Sequence, residues 1–188
     1  MKELEGQDPL RLLKYLDNTD LMFSKARRSA FTLIELIIVI AIISILAGAI
    51  FVAIDPARRL HESRNAVRAS DVVTILEAVK KYQTDNDGDH YTVVSGLTAG
   101  DYYVIGTNGT GCNGVCAAQN TELSCKDLSG IGTTYLSEVP MDPFSGTEDI
   151  TDYYIMRGIN NEITVGACEP EKEGLGGAGD EPEIEVSR

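Results

Sequence analysis

The stretch KARRSAFTLIELIIVIAIISILAGAIFVAI, residues 25–54, decides the organisation of the chain. Residues 36–54 carry no charge, and Ser44 is their only polar side chain. In helical form these residues extend about 28 Å, close to the roughly 30 Å hydrocarbon core of a bilayer. A helix that is apolar on every side over such a length is not typical of a soluble core. We therefore predict a membrane-spanning helix over 31–54, with the carboxylate of Glu35 near its start.

Charge is segregated along the 188 residues, which carry a net charge of −13. Residues 89–188 contain four basic and seventeen acidic side chains. A surface of this sign repels polyanions, so we predict that this region has no nucleic-acid partner. Solubility alone is a sufficient explanation for its acidity.

All four cysteines follow the apolar stretch, at Cys112, Cys116, Cys125 and Cys168. This placement indicates disulfides formed on an oxidising side of a membrane. A zinc site is the rival interpretation, but there is no CxxC pair and His90 is the only histidine nearby. Four cysteines can form two disulfides in three ways, and the sequence does not choose among them. We favour Cys125 with Cys168, because Cys125 precedes a predicted helix and Cys168 ends a predicted strand.

The dipeptide Asp55-Pro56 interrupts the helical pattern, since proline lacks a backbone donor and clashes with the preceding turn. We predict a kink or a restart capped by Asp55, then helix to about Asp85. Residues 58–70 are polar nearly all round, which indicates a neck that stands free of its own domain or contacts other chains. Beyond the neck, one face is apolar at helical spacing, and its members are Val72, Ile75, Leu76, Val79 and Tyr82.

A small mixed domain follows the helix-ending segment TDNDGDHY, residues 84–91. We predict a strand at 102–106, a short interrupted helix at 127–139, and a hairpin formed by 153–159 and 162–168. Asn160-Asn161 forms the turn of that hairpin, because asparagine tolerates positive φ. The acidic, glycine-rich residues 169–188 have little to bury and are predicted to be disordered.

The stretch RRSAFTLIELIIVIAIISILAG, residues 27–48, resembles the N-terminus of type IV pilins and type II secretion pseudopilins. These proteins have a basic leader, a cleavage point, a Phe, TLIEL and a long apolar helix. A weaker similarity, VPMDPFSG…DYYIM at 139–156, is to the major-pseudopilin subgroup. The resemblance implies an α+β, pilin-like fold. Its long N-terminal helix is transmembrane in its first half, kinked near Pro56, and packed by its second half on a small antiparallel β-sheet head.

We accordingly divide the chain into five segments. They are a leader peptide at 1–30, a transmembrane or filament-core helix at 31–54, the amphipathic second half of the helix at 55–86, a globular head at 87–168 and the acidic tail at 169–188.

The resemblance also implies processing. Prepilin peptidase would cleave between Ala30 and Phe31, and Phe31 would become the N-methylated mature N-terminus. Ala30 stands where the family usually has Gly, and Ala is the next smallest residue for a narrow protease subsite. Glu35 would then meet the α-amine of a neighbouring copy and set the axial register, because each charge compensates the other in a low-dielectric setting. In the alternative interpretation, Glu35 sits at the membrane interface near the positive end of the helix dipole.

The function implied is a structural subunit of a type IV pilus or pseudopilus. Its expected partners are other copies of itself, other pilins, prepilin peptidase, the assembly platform, and membrane lipid before assembly. The expected location is the cytoplasmic membrane, with the N-terminus inside, and then a cell-surface or periplasmic filament. Counting Lys and Arg does not settle the orientation, because Arg58, Arg59, Arg64 and Arg68 follow the span.

Two other functions share most of these features. A membrane-anchored extracytoplasmic binding module would lack only the Phe31–Glu35 arrangement. A tethered enzyme would need a base beside a nucleophile, and His61 and His90 are the only histidines. His61 lies on the polar neck and His90 in a helix-ending loop, so we predict that the protein is not an enzyme.

Calcium is a side hypothesis. Asp142, Asp149 and Asp152, with Glu148, lie close together in sequence, and hard cations prefer such oxygen ligands. There is no EF-hand pattern, so we favour solvated acids and expect no cofactor.

Overall fold

The computed structural model describes residues 31–188. The leader, Ala30 and the basic group of Lys25, Arg27 and Arg28 lie outside the described residues. The chain divides into two units at the Leu46–Ala47 boundary.

Two α-helices occupy most of the first third of the described chain. Helix α1 spans Leu33–Ile54 and helix α2 spans Pro56–Asp85. Between them Asp55 takes a left-handed conformation with φ 46°, and its side chain accepts a hydrogen bond from the Arg58 amide. Pro56 begins α2, where its missing N–H costs nothing. The predicted interruption near Pro56, with Asp55 as the cap, is confirmed.

The described residues contain one four-stranded antiparallel sheet in the order β1-β2-β3-β4. Its strands are β1 (Tyr102–Val104), β2 (Tyr153–Arg157), β3 (Ile163–Ala167) and β4 (Glu185–Ser187). The β2–β3 hairpin pairs Ile155 with Val165 and turns at Asn161, whose φ is +64°. The hairpin and the strand at β1 match the sequence-based expectation.

The core lies between α2 and the sheet. The α2 side chains of Val72, Ile75, Leu76 and Val79 are at most 4% exposed and pack with Ile155, Ile163 and Val165 of the sheet. Each such side chain contributes roughly 1.5–3 kcal/mol by leaving water. Tyr82 closes the end of this face, with its ring edge-on to Tyr91 and Tyr135. The architecture is the predicted α+β combination of a long N-terminal helical segment and a small antiparallel sheet.

The interrupted helix expected at 127–139 is reduced to a single 3₁₀ turn at Ser129–Ile131. Gly132 ends the turn with φ +100°, a value that most side chains disfavour. The apolar residues of the segment are still buried, with Leu128, Ile131 and Leu136 at most 7% exposed. The spacing of these apolar residues suggested a helix, but it arises because a loop places their side chains in the core. A one-turn helix, α3 (Thr92–Ser95), was not predicted.

The tail at 169–188 differs from the disorder that we expected. It contains a 3₁₀ turn at Leu175–Gly177 and strand β4, which pairs Val186 with Val165. Composition concealed a local pattern: Glu183, Ile184, Glu185 and Val186 alternate charged and apolar side chains, as a half-buried strand does. Ile184 and Val186 pack on the core.

Candidate functional site

Helix α1 is apolar and unburied along its whole length. None of its residues is buried, and Ile37, Leu46 and Phe51 are 50–67% exposed. Among the described residues one helical stretch is long and apolar enough to cross a membrane, and it includes α1. Exposing so much apolar surface to water is unfavourable, so this segment requires lipid or apolar partners.

The start of α1 carries a reciprocal hydrogen-bonded cap. The Glu35 carboxylate accepts from the Thr32 amide at 2.8 Å and from the Thr32 hydroxyl at 2.9 Å. The Thr32 hydroxyl oxygen in turn accepts from the Glu35 amide at 3.2 Å. This is the capping-box arrangement, in which Thr and a Glu three residues later satisfy each other's free amides. Our sequence interpretation of Glu35 missed it, although the letters T-L-I-E contain the signal.

Comparison with known proteins matches this same segment. The family model of the prokaryotic N-terminal methylation motif matches residues 25–51. The chain carries the type IV pilin and pseudopilin signature. No curated protein and no solved structure matches it significantly.

Proteins with this motif are structural rather than enzymatic as a family, and the motif is consistent with anchoring of this pilin-like chain in a membrane by α1. In general it implies processing by prepilin peptidase and assembly with other pilins. Phe31, the residue predicted to become the mature N-terminus, is 89% exposed.

A buried ion pair joins α2 to the DP loop, residues 141–146, of the head. The side chains of Arg68 and Asp142 are 1% and 0% exposed. Arg68 donates to both carboxylate oxygens, at 2.5 and 3.1 Å, and the amides of Phe144 and Ser145 donate to the same carboxylate. Burial by itself would raise the pKa of Asp142, but these hydrogen bonds outweigh it and lower the pKa. The carboxylate therefore stays charged, with its acceptor positions filled.

Glu171, in the segment after β3, extends this cluster. Its carboxylate accepts hydrogen bonds from Arg64 and from Arg68. The hydrogen bonds from Arg64, followed by those from Arg68, lower the pKa of Glu171 to about 2, although partial burial acts in the opposite direction. Arg64 also lies over the Phe144 ring, 5.0 Å from its centroid.

The segment 169–179, which we call the strap, lies along the first half of α2. Asn65 donates to the Glu171 carbonyl at 2.6 Å and accepts from the Glu171 amide at 3.0 Å. His61 contacts the Lys172 carbonyl at 2.7 Å, and Asp55 accepts from the Gly176 amide at 2.7 Å. The polar neck at 58–70 thus does not stand free of its own domain. One side of it is polar because it binds the strap.

The four cysteines form two disulfides, Cys112–Cys125 and Cys116–Cys168. The pair that we favoured, Cys125–Cys168, is wrong. Backbone hydrogen bonds explain the outcome: the Cys112 amide donates to the Leu123 carbonyl, which folds loop 108–125 back on itself. The Ala118 amide donates to the Cys168 carbonyl and thereby brings Cys116 to the end of β3.

The calcium candidates do not form one site. Asp142 is saturated by Arg68 and backbone amides, and Asp149 accepts from the Thr107 hydroxyl at 2.9 Å. Asp152 is 5% exposed, and burial raises its pKa. Within residues 31–188, no group of three or more His, Cys, Asp or Glu is placed to hold a metal ion. The geometry gives the calcium hypothesis no support.

The two histidines lie in different surroundings. His61 binds the strap, and its Nε2 lies 3.6 Å from the Glu171 carboxylate. Neither ring nitrogen of His90 has a hydrogen-bond partner in the described chain. Burial, with the charges of Lys80 and Arg157, lowers the pKa of His90.

Proposed function

We propose that this pilin-like protein is a structural subunit of a type IV pilus or pseudopilus, cleaved between Ala30 and Phe31 and polymerised through α1. One observation carries the proposal. An unburied apolar helix with a single carboxylate in its first turn begins within the N-terminal methylation motif and shares most of its length with it. Such a helix has no stable place in water as a monomer, and a bundle of parallel copies would cover it.

Glu35 gives the bundle its register in this proposal. Cleavage would create a positive α-amine on Phe31, and the Glu35 carboxylate of an adjacent copy would neutralise it. Either charge left alone in an apolar setting would cost several kcal/mol, so a slipped register is penalised. Small residues allow the helices to approach closely in such a bundle. They are Ala41, Ala47, Gly48 and Ala49.

The head would lie on the extracytoplasmic side. Its two disulfides form readily in an oxidising compartment, which favours an N-terminus inside and a head outside. Before assembly the protein would be held in the cytoplasmic membrane by α1. The assembly platform would then extract it into a cell-surface or periplasmic filament.

Mass measurement of the protein co-expressed with a prepilin peptidase tests the proposal. We expect a mature chain of residues 31–188 with one added methyl group. Ala30→Gly should be processed at least as well as the wild type, and Ala30→Leu should block processing, because the protease subsite before the cut accepts only small residues. A chain that retains residues 1–30 in its native membrane would contradict the proposal and would favour a membrane-anchored binding module.

A further inference from the structure

The head contains an apolar cavity that its own side chains leave unfilled. It has a volume of about 260 Å³ and lies between segment 127–141 and the residues that follow β1. Its apolar lining includes Ile105, Leu128 and Leu136, which are themselves at most 7% exposed. Apolar cavities of about 150 Å³ bind benzene in proteins, so this one has room for a leucine side chain.

The rim of the cavity is acidic. Asp127, Glu138 and Glu148 line it, and none of its lining residues in the described part of the chain is a lysine or an arginine. Within residues 31–188 neither Glu138 nor Glu148 has a salt-bridge partner. The site therefore matches an apolar side chain that is presented next to positive charge.

An exposed surface of the same chain, around Leu60, has this chemistry. Leu60 of α2 is 53% exposed and follows directly on Arg58 and Arg59, whose side chains are 46% and 73% exposed. Both arginines contact the single carboxylate of Glu62, at 2.7 and 3.2 Å, so one positive charge is left over.

Other exposed apolar residues fit less well. Val67 lies beside Arg68, which is buried in its ion pair. Ile159 lies near Arg157, which donates to the Leu97 carbonyl. In both cases the guanidinium is at least partly buried in its own chain, whereas the side chains of Arg58 and Arg59 are 46% and 73% exposed.

We propose that Leu60 of one copy inserts into the head cavity of a second copy, with Arg58 and Arg59 facing Glu138 and Glu148. The inference rests on the proposed filament and adds a specific contact to it. No residue of α2 lines the cavity, so Leu60 and the cavity are separate surfaces of one chain. Such a contact is heterologous, and it repeats from copy to copy into an open polymer.

Cysteine cross-linking in assembled filaments tests the contact. Leu60→Cys combined with Ser137→Cys, on the cavity lining, should give a ladder of linked copies on non-reducing gels. The matched control combines Leu60→Cys with Glu122→Cys, an exposed position away from the cavity, and should stay mostly monomeric. Equal ladders from both pairs, or a ladder from neither, would overturn the contact.

Charge reversal provides a second, independent test. Arg59→Glu and Glu148→Arg should each lower the filament yield about tenfold, and the combination should restore most of it, because the opposed charges are exchanged. Processing by prepilin peptidase should be unchanged in all three variants. Failure of the combined variant to recover would contradict the inference.

The two proposals fail in different ways. A wild-type chain that is neither processed nor assembled would overturn both of them. Normal assembly of the wild type, together with no cross-linked ladder in filaments of the Leu60→Cys/Ser137→Cys variant, would overturn only the contact between Leu60 and the cavity.

Discussion

At the scale of single residues, the Glu35 carboxylate has two possible tasks that one substitution can separate. It caps α1 through Thr32, and in the proposed filament it neutralises an α-amine. Glutamine keeps an oxygen that can accept from the Thr32 amide, but it removes the charge. We expect Glu35→Gln to reduce filament yield per processed chain as strongly as Glu35→Ala, measured by shearing filaments from cells. Normal assembly of Glu35→Gln would show that the cap alone explains the residue.

Glu171 gives the head a defined pH dependence. Its pKa falls from 4.5 in the unfolded chain to about 2 in the folded one, chiefly through Arg64. The folded state therefore binds fewer protons, so the stabilisation is complete above about pH 5 and is lost as the pH falls toward 2.

Unfolding measurements check this dependence. At neutral pH, Glu171→Gln should lower the free energy of unfolding by roughly 2 kcal/mol. At pH 2 the difference from wild type should nearly vanish. Glu122→Gln, at an exposed position, is the control and should leave the curve unchanged. A constant difference at all pH values would mean that Glu171 acts by packing and not through its charge.

At the scale of elements, the Arg68–Asp142 pair fixes helix α2 to the DP loop. Arg68→Met would leave the fully buried Asp142 carboxylate without its counter-charge, which typically costs about 3–5 kcal/mol. Arg59→Met makes the same chemical change on the same helix at a side chain that is 73% exposed, and should cost less than about 1 kcal/mol. Chemical denaturation of the two variants measures both values. Similar losses would show that the buried pair is not a special feature of α2.

Helical periodicity made α2 predictable, because its buried residues recur at three- and four-residue steps. The β2–β3 hairpin was predictable for another reason: two short apolar runs are joined by Asn160-Asn161, and asparagine tolerates the positive φ of a tight turn. The strap was not predictable in this way. Its contacts with α2 join residues that are far apart in sequence, such as Asn65 and Glu171 at a separation of 106, and no local sequence pattern indicates such a pairing. β4 was missed for a different reason: four alternating residues were outweighed by the acidic, glycine-rich composition around them. The Glu35 cap was readable from its spacing and was overlooked.

At the scale of the whole molecule, the sequence signal and the head carry different kinds of information. The methylation motif covers residues 25–51 and predicts the helix and its general role. The head and the strap contain the features that distinguish this chain, namely the contacts of the strap with α2, the two disulfides and the acid-rimmed cavity. The surfaces that would set the contacts of the proposed filament therefore form only when the residues after α1 fold.

The two disulfides differ in how much of that head they constrain. Cys112–Cys125 closes a short loop with a sequence separation of 13, and Cys116–Cys168 spans 52 positions and ties this loop to the end of β3. A cross-link stabilises mainly by restricting the unfolded chain, by roughly 3 kcal/mol for the short loop and 4 kcal/mol for the long one. Replacing Cys116 and Cys168 with Ala should therefore lower the urea midpoint more than replacing Cys112 and Cys125. The opposite order would mean that the short loop stabilises the folded head directly, through contacts that the unfolded chain lacks.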